Sequence, residues 1–184
     1  MSQMPQSPQS SAGSSADARA VFEEGLRKSA TLWLRLQSLS APRAAWYVWV
    51  DGAAAVVHEG AEQKLPGLTD ASTVTVIVRS KDKGGLLIEG EALVVPVKPD
   101  DERWEPTVAA LHSARQSPPD GEQQPARWAA DSIVTRLEPT SAIAQRPGAY
   151  DDSGARAVPV PTTATTLDQL PAVVGRRARR RPRL

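Results

Sequence analysis

The sequence predicts a mainly β protein with flanking helices, built on an antiparallel sheet. Two consecutive hairpins between residues 44 and 97 carry this prediction. In the first, residues 46–50 and 53–57 flank Asp51-Gly52, a dipeptide typical of a two-residue hairpin turn. In the second, β-branched residues at 73–78 precede a loop and a long return strand. These four strands are expected to form one sheet, around which the other elements are arranged.

The Asp51-Gly52 turn also predicts the register of the first hairpin. The expected pairs are Val50 with Ala53, Trp49 with Ala54, Val48 with Ala55 and Tyr47 with Val56. Large side chains then lie across from small ones, a packable cross-strand pattern. We expect Trp46, Val48, Trp49 and Val76 to be largely buried, with Trp46 and Trp49 on opposite faces of one strand because side chains alternate along a strand.

Two elements are predicted before the hairpins. Asp17 can cap a helix, and four apolar residues follow at helical spacing: Ala18, Val21, Phe22 and Leu26. In the next stretch, 29–38, leucines alternate with Trp33 and Arg35, which is strand periodicity. The sequence therefore indicates a short amphipathic helix and then an additional strand.

Three elements are predicted after the hairpins. A helix should begin near Glu105, with an apolar stripe of Trp104, Val108, Leu111 and Ala114. A polar, Pro-rich loop at 116–127 leads to a turn of helix at 128–131. The last strand covers 132–137, and Pro139 is expected to end it.

Composition divides the chain of 184 residues into three segments. Residues 1–16 are mostly Ser, Gln, Pro and Gly, so we expect disorder. Residues 17–140 form the folded domain, and 141–184 form a Pro/Thr/Ala-rich tail that ends in an Arg-rich segment.

The chain has no cysteine, which excludes disulfides and thiolate chemistry. Without a secretory signal or an apolar run of about 20 residues, a cytoplasmic protein without a membrane span is expected.

Charge is concentrated at the C-terminus. Residues 176–184 hold six arginines; without them the chain has 16 basic and 21 acidic residues, a net charge of −5. The folded part is therefore mildly acidic and does not resemble a general nucleic-acid binder. The tail is either a solvated terminus or a tether to a polyanion, which could be nucleic acid, anionic lipid or the acidic domain itself.

Common catalytic signatures are absent from the sequence. With two histidines and no HExxH or similar spacing, no metal site is expected. There is no GxSxG motif for a serine hydrolase, and no GxGxxG or Walker motif for a nucleotide. The most notable polar pattern is the recurrence of cations at strand ends: Lys64, Arg79, Lys81 and Lys83. Such cations suit a phosphate group, and the alternative is an ordinary solvated hairpin.

The succession of elements resembles a known superfamily. Its elements are a helix, SATLWLRLQS, AAWYVWVDG, AAVVHEGAEQKLPGL, TVTVIVRSKD, and then GLLIEGEALVVPV before an acidic, Trp-containing helix entry. This order, with VTRLEP as the last strand, is similar to the FMN-binding split-barrel superfamily, which includes pyridoxamine 5'-phosphate oxidases and deazaflavin-dependent reductases. The resemblance covers residues 18 to 140 and implies an antiparallel split β-barrel.

The resemblance also implies a site. Lys64, preceded by Gln63, matches the family lysine that contacts the flavin phosphate, and Trp49 matches an aromatic before the turn. Arg79, Ser80 and Lys81 are candidates for additional cofactor contacts at the next hairpin. The chain departs from the family where Ala61-Glu62 replace the usual Ser or Thr, which places an acid where a phosphate is expected.

Two functions follow as alternatives. The first is an FMN- or deazaflavin-binding oxidoreductase of unknown substrate, in which the cofactor carries the hydride chemistry. The second is a cofactor-free binding or scaffold protein, because a fold does not fix a function. Catalytic residues are not recognisable. The family further implies a homodimer with the cofactor at the subunit interface.

Overall fold

The computed structural model describes residues 11–80, with side chains from residue 16, together with 84–115 and 120–150. Within these residues, three α-helices, one 3-10 turn and seven strands follow one another along the chain. Their order is α1 (Ser11–Lys28), β1 (Thr31–Arg35), β2 (Arg43–Trp46), β3 (Val48–Val50), β4 (Ala53–His58), β5 (Thr73–Arg79), β6 (Leu86–Val97), α2 (Trp104–Ala114), the 3-10 turn Gly121–Gln123, α3 (Gln124–Asp131) and β7 (Ile133–Gln145).

All seven strands belong to one antiparallel sheet in the order β2-β1-β5-β6-β7-β4-β3. Strands β2 and β3 lie at opposite ends of this order, yet Tyr47 alone separates them in the chain. The sheet must therefore curl until its two edges meet at Tyr47, a junction that we call the seam. This architecture confirms the predicted mainly β split barrel with flanking helices.

The first hairpin confirms three of the four predicted pairs: Val50 with Ala53, Trp49 with Ala54 and Val48 with Ala55. Both turn residues have positive φ, 45° for Asp51 and 76° for Gly52, as a primed two-residue turn requires. The fourth pair is wrong, because Tyr47 leaves the ladder between β2 and β3. Its buried hydroxyl instead donates to the backbone oxygens of Leu26 and Ser29, which ties the seam to the end of α1.

The sheet has apolar side chains on both faces. One face packs on α1, with Phe22 and Leu26 against leucines and valines of β1, β5 and β6. The other face packs on α2 and α3, with Leu111 and Trp128 against β4 and β7. The two faces place the helices on opposite sides of the barrel wall.

The tryptophans of the first hairpin separate as predicted. Trp49 packs with the α1 cluster and Trp46 with the α2–α3 cluster, so they lie on opposite faces. Val76 is fully buried. Trp46, Val48 and Trp49 are less buried than Val76, and each is half-buried. They border an open depression at the seam, which exposes one side of each.

The helices extend the predicted ones. Helix α1 begins at Ser11, ahead of Asp17, and Val21 is 41% exposed rather than on the buried face. The buried stripe of α1 is Ala18, Phe22 and Leu26, which recur every four residues. Helix α3 covers two turns, from Gln124, and buries Trp128 completely. No helix among the described residues is long and apolar enough to cross a membrane.

Strand β7 passes through Pro139 and continues to Gln145, so the prediction that Pro139 ends the strand is wrong. Register shifts in β6 near Gly90 place Pro139 at an irregular part of the ladder, where its missing N–H is tolerated. The Thr140 hydroxyl compensates by donating to Glu91 O at 2.9 Å and accepting from Ala142 N at 3.1 Å. The division of the chain into three segments stays a prediction, since residues 1–10 and 151–184 lie outside the described residues.

Candidate functional site

A depression of about 780 Å³ lies over the seam and is called the seam depression below. It is bordered by the end of α1, by β2 and β3, and by the end of α2. The lining residues are Arg27, Ser29, Ala30, Trp46, Tyr47, Val48, Trp49, Ala114 and Arg115. The depression therefore gathers aromatic and cationic side chains from three separate parts of the sequence: the end of α1, strands β2 and β3, and the end of α2.

Each tryptophan in the depression carries an arginine over its ring. The Arg115 guanidinium carbon lies 5.3 Å from the Trp46 ring centroid, and that of Arg27 lies 5.9 Å from the Trp49 centroid. Both distances are those of cation–π contacts. Among the described residues that line the depression, none is acidic, although Glu24 approaches Arg27 from outside at 3.8 Å. The surface suits a ligand that combines a planar ring with negative charge.

Gln63 closes the seam beneath this surface. Its Oε1 accepts from Trp46 N at 2.9 Å, and its Nε2 donates to Trp46 O at 2.9 Å and to Val57 O at 3.1 Å. One side-chain amide thus replaces backbone pairing between edge strand β2 and strand β4. Gln63, predicted as a site residue, hydrogen-bonds to the backbone of Trp46, which lines the depression.

Glu62 is directed into the protein and not towards a ligand. Its side chain is 2% exposed and accepts hydrogen bonds from Trp128 Nε1 and Arg127 Nη2, each at 2.9 Å, and its Oε2 forms an ion pair with Arg115 Nη1, also at 2.9 Å. Burial raises the pKa of Glu62, but hydrogen bonds from Trp128 and Arg127 and the charges of Arg115 and Arg127 outweigh it and hold the pKa below its ordinary value. The acid that the sequence placed at the phosphate site is therefore ionised and paired inside the domain.

Lys64 is 57% exposed and has intramolecular partners. Its ammonium donates to Gly60 O at 2.7 Å and lies 3.6 Å from Glu59 Oε2. Gly60 has a φ of +54°, and a Cβ there would lie 2.4 Å from Asp131 O, so this turn requires glycine. The role of Lys64 at a phosphate stays a prediction.

The other predicted residues lie apart. Arg79, at the end of β5, places its guanidinium carbon 5.2 Å from the Trp33 ring centroid. Ser80 exchanges backbone hydrogen bonds of 2.9 Å with Gly84 and Gly85 in the following turn. Lys81 lies outside the described residues, as does Lys83.

Of the six predicted site residues, Trp49 lines the seam depression and Gln63 bonds to the backbone of another lining residue. Within the described part of the chain, Lys64, Arg79 and Ser80 are not among the lining residues. Sequence reasoning missed Arg27 and Arg115, which look like ordinary charged helix residues. It placed Trp46 in a strand, where an aromatic gives no sign of a site.

A second depression, of about 720 Å³, lies at the other end of β1. It is lined by polar residues of both signs, including Arg35, Asp70 and Glu91, and no aromatic residue is among the described residues that line it. Arg35 is already paired with Glu89 at 2.8 Å. Unlike the seam depression, it has no tryptophan ring with an arginine over it among its described lining residues.

The two histidines have separate environments. His58 is fully buried with Nε2 3.1 Å from Thr135 Oγ1, and burial lowers its pKa despite Glu59 nearby. The Nε2 atom of His112 lies 3.1 Å from Gly121 O, outside the seam depression. No cluster of three or more potential metal ligands occurs in the part of the chain that the structure describes.

Several solved structures are similar to this chain. One is HutZ, the heme storage protein from Vibrio cholerae, with 14% identity, a TM-score of 0.47, and coverage of 66% of this chain and 89% of HutZ. Another is a putative pyridoxamine 5'-phosphate oxidase from Listeria innocua, with 15% identity, a TM-score of 0.39, and coverage of 66% and 92%. A third is an F420 reductase, with 18% identity, a TM-score of 0.38, and coverage of 64% and 92%.

No protein-family model matches the chain, and no curated protein sequence matches it. The similar structures include a putative pyridoxamine 5'-phosphate oxidase and an F420 reductase. Their TM-scores lie below 0.5 and assign no function to this chain.

Proposed function

We propose that this chain binds either FMN or a deazaflavin as its cofactor and acts as an oxidoreductase. The observation that carries the proposal is the seam depression, which is lined by two tryptophans and two arginines, with one guanidinium over each indole ring. A flavin is a planar aromatic ring with an anionic tail, so the donor set fits both parts of it. Trp46 and Trp49 would pack on the ring, and Arg27 and Arg115 would offset negative charge. When bound, such a cofactor supplies hydride transfer.

Lys64 is proposed to contact the cofactor phosphate, with Arg79, Ser80 and Lys81 as further candidates at the next hairpin. Support comes from its position next to Gln63, whose side chain bonds to Trp46 beneath the depression. Binding would require the Lys64 ammonium to exchange its contact with Gly60 O for the phosphate.

The proposal is tested first by mass spectrometry of small molecules released on denaturing the purified protein. A released flavin, with absorption at about 450 nm, supports it. In an FMN titration, Lys64→Ala should weaken binding by about 1.5–3 kcal/mol, or about tenfold to a hundredfold. Equal affinity of Lys64→Ala and the unchanged chain would remove Lys64 from the site, and failure of the unchanged chain to bind either cofactor would overturn the proposal.

The second candidate function is a cofactor-free binding or scaffold protein on the same fold. Lys64 favours it, because its ammonium already has Gly60 O and Glu59 as partners within the protein. Colourless protein that releases no cofactor and binds neither FMN nor a deazaflavin would support this function.

A homodimer is proposed as the assembly. Support comes from the barrel face opposite the α1 cluster, where Leu93 is 44% exposed and Trp33 is half-buried. The register places both side chains on the same face of β1, β5 and β6. Sedimentation equilibrium should give twice the mass of the 19.7 kDa chain; a monomer at micromolar concentration would exclude this assembly.

The Arg-rich segment is proposed to contact a polyanion. Six arginines within 176–184 would allow a log–log salt slope as steep as about −5 on duplex DNA. The full chain should bind DNA weakly at low salt, whereas a chain truncated after Gly175 should not. Equal retention of both on DNA at low ionic strength would show that the segment makes no such contact.

A further inference from the structure

One buried carboxylate connects the interior of the domain to the seam depression. Glu62 accepts hydrogen bonds from Arg127 and Trp128, both on α3, and forms an ion pair with Arg115 just after α2. Of these three partners, Arg115 also lines the depression, where its guanidinium lies over Trp46. Glu62 itself is 2% exposed and is not among the described lining residues.

The charges around Glu62 leave its second oxygen to Arg115. Arg127 pairs with Asp120 as well as with Glu62 Oε1, and Trp128 donates to that same Oε1. Oε2 lies 2.9 Å from Arg115 Nη1 and forms an ion pair with it. Arg115 is therefore held by the charge of Glu62 and by a cation–π contact with the Trp46 ring.

A guanidinium held in this way is preorganised to bind an anion. Arginine carries five N–H donors in a planar fork, so the contact through Nη1 leaves other donors for a ligand. A long side chain such as that of arginine loses considerable rotamer freedom when it is ordered on binding. If the protein already orders the arginine side chain, ligand binding does not incur this loss of conformational entropy.

We propose that Glu62 is a positioning residue that holds Arg115 over Trp46, so that Arg115 binds the anionic part of the ligand in the seam depression. This inference rests on the proposed function, since it assigns a residue to the same site. It reverses the expectation from the sequence that an acid at position 62 opposes an anionic ligand. Glu62 acts here through Arg115 and makes no contact with the ligand itself.

A double-mutant cycle with FMN as the probe tests the inference. Glu62→Gln keeps the size of the side chain and an acceptor for Trp128, but removes the charge that holds Arg115. It should weaken FMN binding by about threefold to thirtyfold, the range typical of coupled neighbours. In the Arg115→Ala background the same change should alter affinity by less than about twofold, because Glu62 then has no guanidinium to position. Equal weakening in both backgrounds would overturn the inference.

Asp120→Asn is the matched control. Asp120 pairs with Arg127, as Glu62 does, but it acts on Arg115 only through longer-range charge, without the direct ion pair that Glu62 makes. Its FMN affinity should stay within about twofold of the unchanged chain. A loss as large as that of Glu62→Gln would show that loosening α3, and not the position of Arg115, weakens binding, and would overturn the inference.

A second readout does not depend on any ligand. Because its guanidinium lies over an indole face, the Arg115 Nε–H proton should show an upfield ring-current shift in NMR spectra. Glu62→Gln should abolish this shift, and Asp120→Asn should retain it. Persistence of the shift in Glu62→Gln overturns the inference even if FMN binds. Its loss, in a chain that binds no cofactor, supports the positioning role while the proposed function fails. Should Glu62→Gln not fold, Glu62→Asp, which withdraws the carboxylate by one methylene, replaces it in both experiments with the same expected outcomes.

Discussion

Truncating Gln63 should destabilise the barrel, because its side chain joins β2 to β4 at the seam. The side chain makes three hydrogen bonds, to Trp46 N, Trp46 O and Val57 O, and all three are partly buried. Gln63→Ala removes them together and leaves two carbonyls and one N–H without these partners. At about 1 kcal/mol for each bond, we expect the free energy of unfolding to fall by about 3 kcal/mol.

The assay is urea unfolding followed by tryptophan fluorescence, with thermal unfolding alongside. For a domain of this size, about 2–4 °C of melting temperature is lost per kcal/mol, so Gln63→Ala should melt about 6–12 °C lower. Gln63→Met keeps the length of the side chain without its hydrogen bonds and should lose most of the same stability. Gln37→Ala, an equal truncation of an exposed glutamine, should stay within about 0.5 kcal/mol.

Two outcomes would refute this reasoning. If Gln63→Ala were as stable as Gln37→Ala, the hydrogen bonds of the seam would not hold its edges together. If Gln63→Met matched the unchanged chain while Gln63→Ala fell, packing and not hydrogen bonding would account for the loss.

Three further predictions follow from buried contacts. Tyr47→Phe should lower the free energy of unfolding by about 1–2 kcal/mol, since the hydroxyl bonded to the Leu26 and Ser29 oxygens is lost. Burial raises the pKa of Tyr47 from 10.0 to about 12, so the stability of the unchanged chain should decline as pH rises from 10 to 12, a decline that Tyr47→Phe should reduce in alkaline urea titrations. In denaturant titrations, Gly60→Ala should lower the free energy of unfolding by about 1–3 kcal/mol more than Gly52→Ala. Both glycines have positive φ, but a Cβ added at Gly60 would lie 2.4 Å from Asp131 O, whereas one added at Gly52 would have no atom within 4 Å. The lowered pKa of Glu62 contributes stability that is complete above 4.5 and is lost as pH falls through the folded-state value, so Glu62→Gln should flatten the acid limb of a plot of unfolding free energy against pH.

The sequence predicts the parts of this fold that depend on neighbouring residues. Asp51-Gly52 specifies a turn within four residues, and three of the pairs that it implies are present. The departure of Tyr47 from the ladder depends on carbonyls 18 and 21 positions earlier, which no local pattern indicates. The local sequence around Pro139 likewise does not show whether β7 continues past it, because this depends on the Thr140 hydrogen bond to Glu91 and on the irregular register of β6.

The candidate site was less predictable than the fold. Trp49 and Gln63 were singled out through a resemblance, and the structure places both at the seam. Glu62 hydrogen-bonds to Arg127 and Trp128, which lie 65 and 66 positions further along the chain. In the sequence, Glu62 and Arg127 look like ordinary surface charges. Periodicity reports which face of an element is apolar, but it does not report which charged side chains meet after the sheet has curled.

The place of β7 in the sheet has a consequence for synthesis of the protein. The last strand of the sheet to leave the ribosome lies between β6 and β4. Until it arrives, the earlier strands can form two separate groups, β2-β1-β5-β6 and β3-β4, each with a backbone edge that has no neighbour. Such edges pair readily with other chains, and long-range strand pairing is slow compared with local folding. A nascent chain that has not yet reached Ile133, the first residue of β7, is therefore open to misassembly. Chains truncated before this strand should collect in the insoluble fraction of cells instead of forming a smaller folded domain.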